Sequence, residues 1–300
     1  MPNTPLVIYV PGLMPKPEPA THGDAILRCL NTALARTDSG IQIAPEDFAL
    51  AAWTFDFYEV HRDFRLDAAA VDAVIAQTEP TEADRAKFSG LTRRAMRWAY
   101  RLGDLMPFLI PHLANDRLTL HLRDLRRYVQ NTNGAAERAR EVVKTLLRDA
   151  ADRPVLLLAH SMGSVISYEA LWQLTHSERN PVPVTLVTMG SPLGQRYIQK
   201  RIKGSDKIAK GRYPTKIRHW INVTAVGDLT AIDPCLANDY VDMAELGLIE
   251  GIDDREIETW FRLDGVLNVH AEYGYFVTDG VADIVSTWWQ LATTAPDSAE

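Results

Sequence analysis

The chain has 300 residues, 46% of them hydrophobic and 24% charged, with a formal net charge of −7 at pH 7. That balance supplies a large core and an ordinary polar surface, which sets aside the disordered, collagen-like and disulfide-framework classes. Cys29 and Cys235 have no metal-type spacing, no apolar stretch is long enough to span a bilayer, and MPNTPLVIYVPG lacks the basic and apolar regions of a secretory leader. The expectation is a cytoplasmic protein.

PLVIYV (5–10) predicts a buried strand, followed by the Gly/Pro-rich loop PGLMPKPEP. A helical period over 22–35 aligns Ile26, Leu27, Leu30 and Leu34 on one face. FALAAWTF (48–55) predicts the next strand. Between 60 and 133 no strand pattern is found. Leu91, Ala95, Trp98, Leu102 and Leu105 form one apolar stripe, Leu118, Leu122, Leu125 and Val129 a second, and MPFLIP separates them. This block is expected to be an inserted helical cap. An amphipathic helix over 135–151 turns Val142, Val143, Leu146 and Leu147 inward. VLLLA (155–159) is a strand and 165–174 a helix. VPVTLVTMG (182–190) and IRHWINVTAV (217–226) are further strands, 265–269 a short last one, and 281–291 a closing helix. The alternation predicts one α/β domain over 1–300: a mostly parallel central sheet with helices on both faces, a cap inserted at about 60–133 and a basic segment at about 195–218.

The run VLLLAHSMG places Ser161 at the carboxyl end of a strand and at the start of a helix. A serine presented on so sharp a turn needs small residues two positions away on each side, and here they are Ala159 and Gly163. The backbone N–H of Met162 then lies at a helix N-terminus, where a developing oxyanion is stabilised. A serine that only caps the helix is the other reading of the same residues.

A-H-S-M-G after a buried strand, with candidate partners following it, resembles the α/β-hydrolases, with Ala159 where their common pattern has glycine. The resemblance covers most of the chain but not 60–133, and it implies the α/β-hydrolase fold of a serine esterase or lipase. It implies the order Ser, acid, His. Among the histidines after Ser161, His176 lies far along the elbow helix and His219 early in a strand, so His270 is the expected base. The resemblance puts the acid just past a strand end, at Asp228, with Asp233 as the alternative and a turn residue in its own right. Glu272 is too close in sequence to His270 to orient it. His160 is expected to pack beside the nucleophile. In similar hydrolases the loop after the first strand begins His-Gly and gives the second oxyanion donor. Here it is Pro11-Gly12, with Leu13 as the expected donor and Met14 next. TMGSPLG (188–194) lines the same strand mouth. His160, Ser191 and Met14 are candidate substrate-lining residues, with Ser191 equally a cap of the next helix.

These assignments predict a serine hydrolase of carboxylic esters of lipid-like or acyl substrates, acting through an acyl-enzyme without metal or cofactor. Thioesters, amides and acyl transfer are open to the same triad. So is a membrane-surface or protein-binding module on a hydrolase scaffold, which Pro11 and the basic insert favour. Dehalogenase and epoxide chemistry need a carboxylate where Ser161 stands. Charge sign is segregated: ten Arg/Lys lie in 85–127, nine in 196–218, and sixteen Asp/Glu after Gly227. The basic stretches read either as a cationic face for an anionic substrate or peripheral contact with an anionic membrane, or as a solvated surface partly paired with the acidic region. Nucleic acid is not expected, since no motif accompanies the charge.

Overall fold

The buried apolar runs pair into one sheet. In the computed structural model, which describes residues 4–88, 116–150, 153–231 and 233–294, six strands form it: β1 (Leu6–Val10), β2 (Phe48–Leu50), β3 (Val155–His160), β4 (Val184–Met189), β5 (Ile217–Ala225) and β6 (Ile252–Ile257). Their order is β2-β1-β3-β4-β5-β6, and every pairing is parallel. A two-stranded antiparallel ribbon, β7 (Arg262–Leu263) with β8 (Val266–Leu267), is separate from it. The helices are α1 (Pro19–Leu34), α2 (Thr54–Tyr58), α3 (Ala68–Ala76), α4 (Glu82–Phe88), α5 (Asp116–Val129), α6 (Ala135–Asp149), α7 (Met162–His176), α8 (Arg196–Gln199), α9 (Leu236–Asp239), α10 (Val241–Glu245), α11 (Glu272–Phe276) and α12 (Asp279–Thr294).

Side chains alternate across the sheet and fill two cores. Leu6, Ile8 and Val10 of β1 join the cluster with α6 and α7, whereas Val7 and Tyr9 join the cluster with α1 and α12. Both faces are covered, which is why the strands read as unbroken apolar runs. From β1 the chain crosses to β2 on one side and later to β3 on the other. Strand order reverses between β1 and β3, the place where parallel sheets bind ligands beyond their carboxyl ends. The loop after β1 and the turn after β3 meet there.

Two sequence expectations are corrected. The 48–55 run is a strand only over β2; Trp53 leaves the sheet to donate its indole N–H to the Pro11 carbonyl at 2.9 Å, and α2 follows. The last strand of the sheet is not 265–269 but β6, whose IDDREI sequence carries no apolar run. An edge strand with one half-open side tolerates those charges, and they discourage pairing with another chain. Val266 and Leu267 instead form the small ribbon. Within the 60–133 block, α3 packs Val71 and Val74 into the α1–α12 layer. The Leu91 to Leu105 stripe, with Arg93, Arg94, Arg97 and Arg101, lies outside the described residues, as does MPFLIP. Among the described residues no helix is long and apolar enough to cross a membrane.

One buried ion pair ties α5, α6 and α7 together. Arg140 Nη1 donates to Glu169 at 2.8 Å, the Tyr128 hydroxyl donates to the same oxygen at 2.6 Å, and both charged side chains are at most 5% exposed. Replacing one partner of such a pair strands the other's charge. Glu169→Ala is therefore expected to cost about 3 kcal/mol, toward the low end because Glu137 still reaches Arg140. Urea unfolding measures it, and a loss below about 1 kcal/mol would show that the pair contributes no more than a surface bridge.

Candidate active site

Ser161 is the single residue between β3 and α7. To turn from strand to helix in one step it takes φ 53° and ψ −125°. A non-glycine residue in such a region stores strain of order 1–3 kcal/mol. Hydrogen bonds hold it: its N–H donates to the Met189 carbonyl at 2.8 Å, and its carbonyl accepts from the Ser164 N–H and hydroxyl. Gly163 seats the turn against β1. A Cβ there would lie 2.2 Å from the Val10 oxygen and 2.7 Å from the Pro11 oxygen, so no side chain fits. Gly12 covers the serine from the neighbouring loop, where a Cβ would come 2.7 Å from Ser161 Cβ. Ala159 is fully buried among core residues, which accommodates its methyl group.

His270 sits in the turn between β8 and α11. The Ser161 hydroxyl donates to its Nε2 at 2.9 Å, and its Nδ1–H donates to Asp228 Oδ2 at 2.7 Å. A carboxylate only accepts, so the proton belongs on Nδ1 and the Nε2 lone pair faces the serine. Asp228 lies just past β5 and is fully buried. The Tyr275 hydroxyl donates to Oδ2 at 2.8 Å and the Thr230 N–H to Oδ1 at 2.8 Å. Burial alone would raise this carboxyl, but the His270 ring and the three hydrogen bonds outweigh it and hold it below its ordinary value. Asp233 makes no contact with His270; its carboxylate accepts from the Cys235 N–H as a turn residue.

The other histidines lie elsewhere. His176, the last residue of α7, bonds the Tyr213 carbonyl through Nε2, and His219 is exposed on β5. His160 is 3% exposed and donates Nε2–H to the His270 carbonyl at 2.9 Å. Burial, and then His270, hold its imidazole down to about 3, so it stays neutral. Its Nδ1 has no partner among the described residues. Buried as it is, His160 supports the His270 backbone rather than lining an open cleft. Ser191 is likewise internal, bonded to Ser164 and accepting from the Leu193 N–H as a cap. Met14 is 38% exposed, adopts φ 80°, and donates its N–H to the Tyr58 hydroxyl. The amides of Met162 and Leu13 have no hydrogen-bond partner among the described residues, and Leu13 is half-buried in the loop after β1.

Sequence reasoning missed three features. Tyr275, which holds Asp228 and accepts from the Ala225 N–H, reads as one aromatic in AEYGYF. Gly190 takes φ 56°, and a Cβ there would press on Asp228, Tyr275 and His270 at 2.8–3.0 Å; the glycine in TMGSPLG was its visible signal. Glu272 does not face His270 but collects Tyr9, Lys16 and His22. Among the described residues no group of three or more His, Cys, Asp and Glu is arranged to hold a metal ion.

Several of the described basic side chains find partners nearby. Arg123 bridges Asp124, Lys207 bridges Asp206, Arg127 stacks over Phe57 and Arg201 over Tyr197, while Arg85 reaches Glu258 in the acidic region. Part of the 196–218 segment lines a cavity of about 430 Å³ with Val165, Glu169 and Trp172; Ser161 and His270 are not on its wall.

The strain at Ser161 has a measurable signature. Ser161→Gly should be more stable than Ser161→Ala by about 1 kcal/mol, because only glycine enters that backbone region without cost. Equal urea midpoints would mean an unstrained turn. Asp228 gives a second test. Its depressed value means that its contribution to stability is complete above about pH 4, the unfolded carboxylate value, and is lost as pH falls through the lower folded value. Asp228→Asn should therefore lose stability less steeply than wild type below about pH 4, and parallel curves would contradict this.

Residues 126–204 match a family described as alpha/beta hydrolase of unknown function (DUF900). No curated protein and no solved structure matches the chain. The matched stretch contains the strand, turn and helix that present Ser161, and the sheet around them is all parallel with helices on both faces; the chain has the α/β-hydrolase fold.

Proposed function

We propose that the chain is a serine hydrolase that cleaves carboxylic esters of lipid-like or acyl substrates through an acyl-enzyme. The observation that carries this reading is the continuous path Asp228–His270–Ser161, two hydrogen bonds of 2.7 and 2.9 Å ending on a serine with strained backbone. In the first half-reaction Ser161 Oγ bonds to the substrate carbonyl carbon and its proton moves to His270 Nε2. The buried Asp228 carboxylate balances the imidazolium. The N–H groups of Met162 and Leu13 receive the oxyanion. Collapse breaks the ester bond, and His270 returns the proton to the departing alcohol. Water, deprotonated by the same imidazole, then releases the acyl group and restores Ser161. Support for an apolar acyl group comes from exposed Met14 beside Leu13 and from exposed Phe55 and Val60 on either side of Tyr58. Thioesters and amides suit the same groups, so a substrate panel includes them.

Steady-state hydrolysis of p-nitrophenyl esters of graded chain length tests the reading. Ser161→Ala, His270→Ala and Asp228→Asn are each expected to lower kcat roughly 10⁴-fold or more with the fold intact. Turnover that survives in Ser161→Ala or His270→Ala would refute the assignment.

A further inference from the structure

A second buried carboxylate lies two residues beyond His270 and takes no part in the path above. Glu272, with 6% of its side chain exposed, accepts from the Tyr9 hydroxyl at 2.6 Å, from His22 Nε2 at 2.9 Å and from Lys16 Nζ at 3.0 Å. The donors come from β1, from α1 and from the loop that follows β1. Burial would raise the carboxyl, but the Lys16 charge and then His22 hold it well below its ordinary value, so an ionised pair sits in the interior. Lys16 is itself only 14% exposed.

What this pair joins is specific. Lys16 belongs to the loop carrying Gly12 and Leu13, and Glu272 begins the helix that follows His270 directly. The loop is not at rest by itself. Met14 holds φ 80°, a conformation that persists only where surroundings impose it. Pro15 and Pro17 flank Lys16 and have no N–H with which to brace the loop. Restraint comes from outside: the Tyr58 hydroxyl accepts from the Met14 N–H at 3.0 Å, the Lys16 carbonyl accepts from the Arg62 N–H at 2.9 Å, and Glu272 binds the Lys16 ammonium. Of these only the last connects the loop to the segment bearing His270. A buried ion pair is weak support for stability, since an apolar pair of similar volume often serves as well. Its placement is informative instead.

We infer that Lys16 and Glu272 are positioning residues of the hydrolytic reaction, whose ion pair fixes the Leu13 N–H relative to the His270 imidazole so that both address one substrate carbonyl. The inference rests on the proposed function. A misplacement near 1 Å in such a site costs on the order of 10²-fold in rate.

The test compares wild type, Lys16→Met, Lys16→Arg and Glu272→Gln for kcat and KM on an ester that the wild type cleaves. The low-field proton resonance of His270 Nδ1–H is recorded for each. Glu272→Gln leaves the Lys16 charge uncompensated and can unfold the chain; Lys16→Met leaves Glu272 with Tyr9 and His22 and carries the test. Lys16→Met is expected to lower kcat roughly 10- to 100-fold, with KM nearly unchanged, the Nδ1–H resonance in place and most activity restored in Lys16→Arg. Wild-type kcat in Lys16→Met, a loss that arginine does not restore, or a loss accompanied by disappearance of the resonance would each overturn the positioning role. A wild type that cleaves no ester and takes up no fluorophosphonate would overturn the proposed function, and the positioning role with it.

Discussion

The start of α7 lies so close to the end of β1 that a methyl group on Gly163 would sit 2.2 Å from the Val10 carbonyl oxygen. This approach sets the geometry of the site. It requires β1 beside β3, which the crossover to β2 and back provides. It forces Ser161 to make the whole change from strand to helix, hence the positive φ. The same approach brings the loop after β1 over the serine, with Gly12 against its side chain. Packing of the sheet supplies the energy that keeps one serine in a backbone conformation it would not choose alone.

Electrostatics divides the work between two buried carboxylates, Asp228 and Glu272. Asp228 is held ionised by Tyr275, Thr230 and His270, and so faces the imidazole as an acceptor. Glu272 is held ionised by Lys16, His22 and Tyr9 and secures the loop after β1. Between them His160 stays neutral and grips the His270 carbonyl. Each charge is buried only because donors from several elements converge on it, so the sheet and helices must form before either carboxylate is tolerated.

Much of the sheet was legible because a strand covered on both faces must be apolar throughout, as in LVIYV, VLLLAH and VTLVTM. β6 was not, since an edge strand carrying Asp253, Asp254 and Arg255 leaves no such run. The serine turn could be read from Ala159 and Gly163, whose small size answers a local steric demand. Tyr275 and Lys16 could not, because their partners lie 47 and 256 residues away in sequence. Asp228 was favoured over Asp233 from its place just past a strand end; the turn after β5, with the Asp228 N–H on the Ala225 carbonyl, holds the first, while Asp233 accepts from the Cys235 N–H as a turn residue. Single residues with local causes were visible, and the long-range hydrogen bonds among Ser161, His270 and Asp228 were reached only through the family resemblance.

The central claim is that Ser161 is an activated nucleophile and not a strained helix cap. Intact mass after exposure to a fluorophosphonate, followed by peptide mapping, tests this most directly. The account predicts one adduct, on Ser161, that disappears in His270→Ala. A folded wild type that takes no adduct, or one that modifies Ser161 equally well without His270, would contradict it.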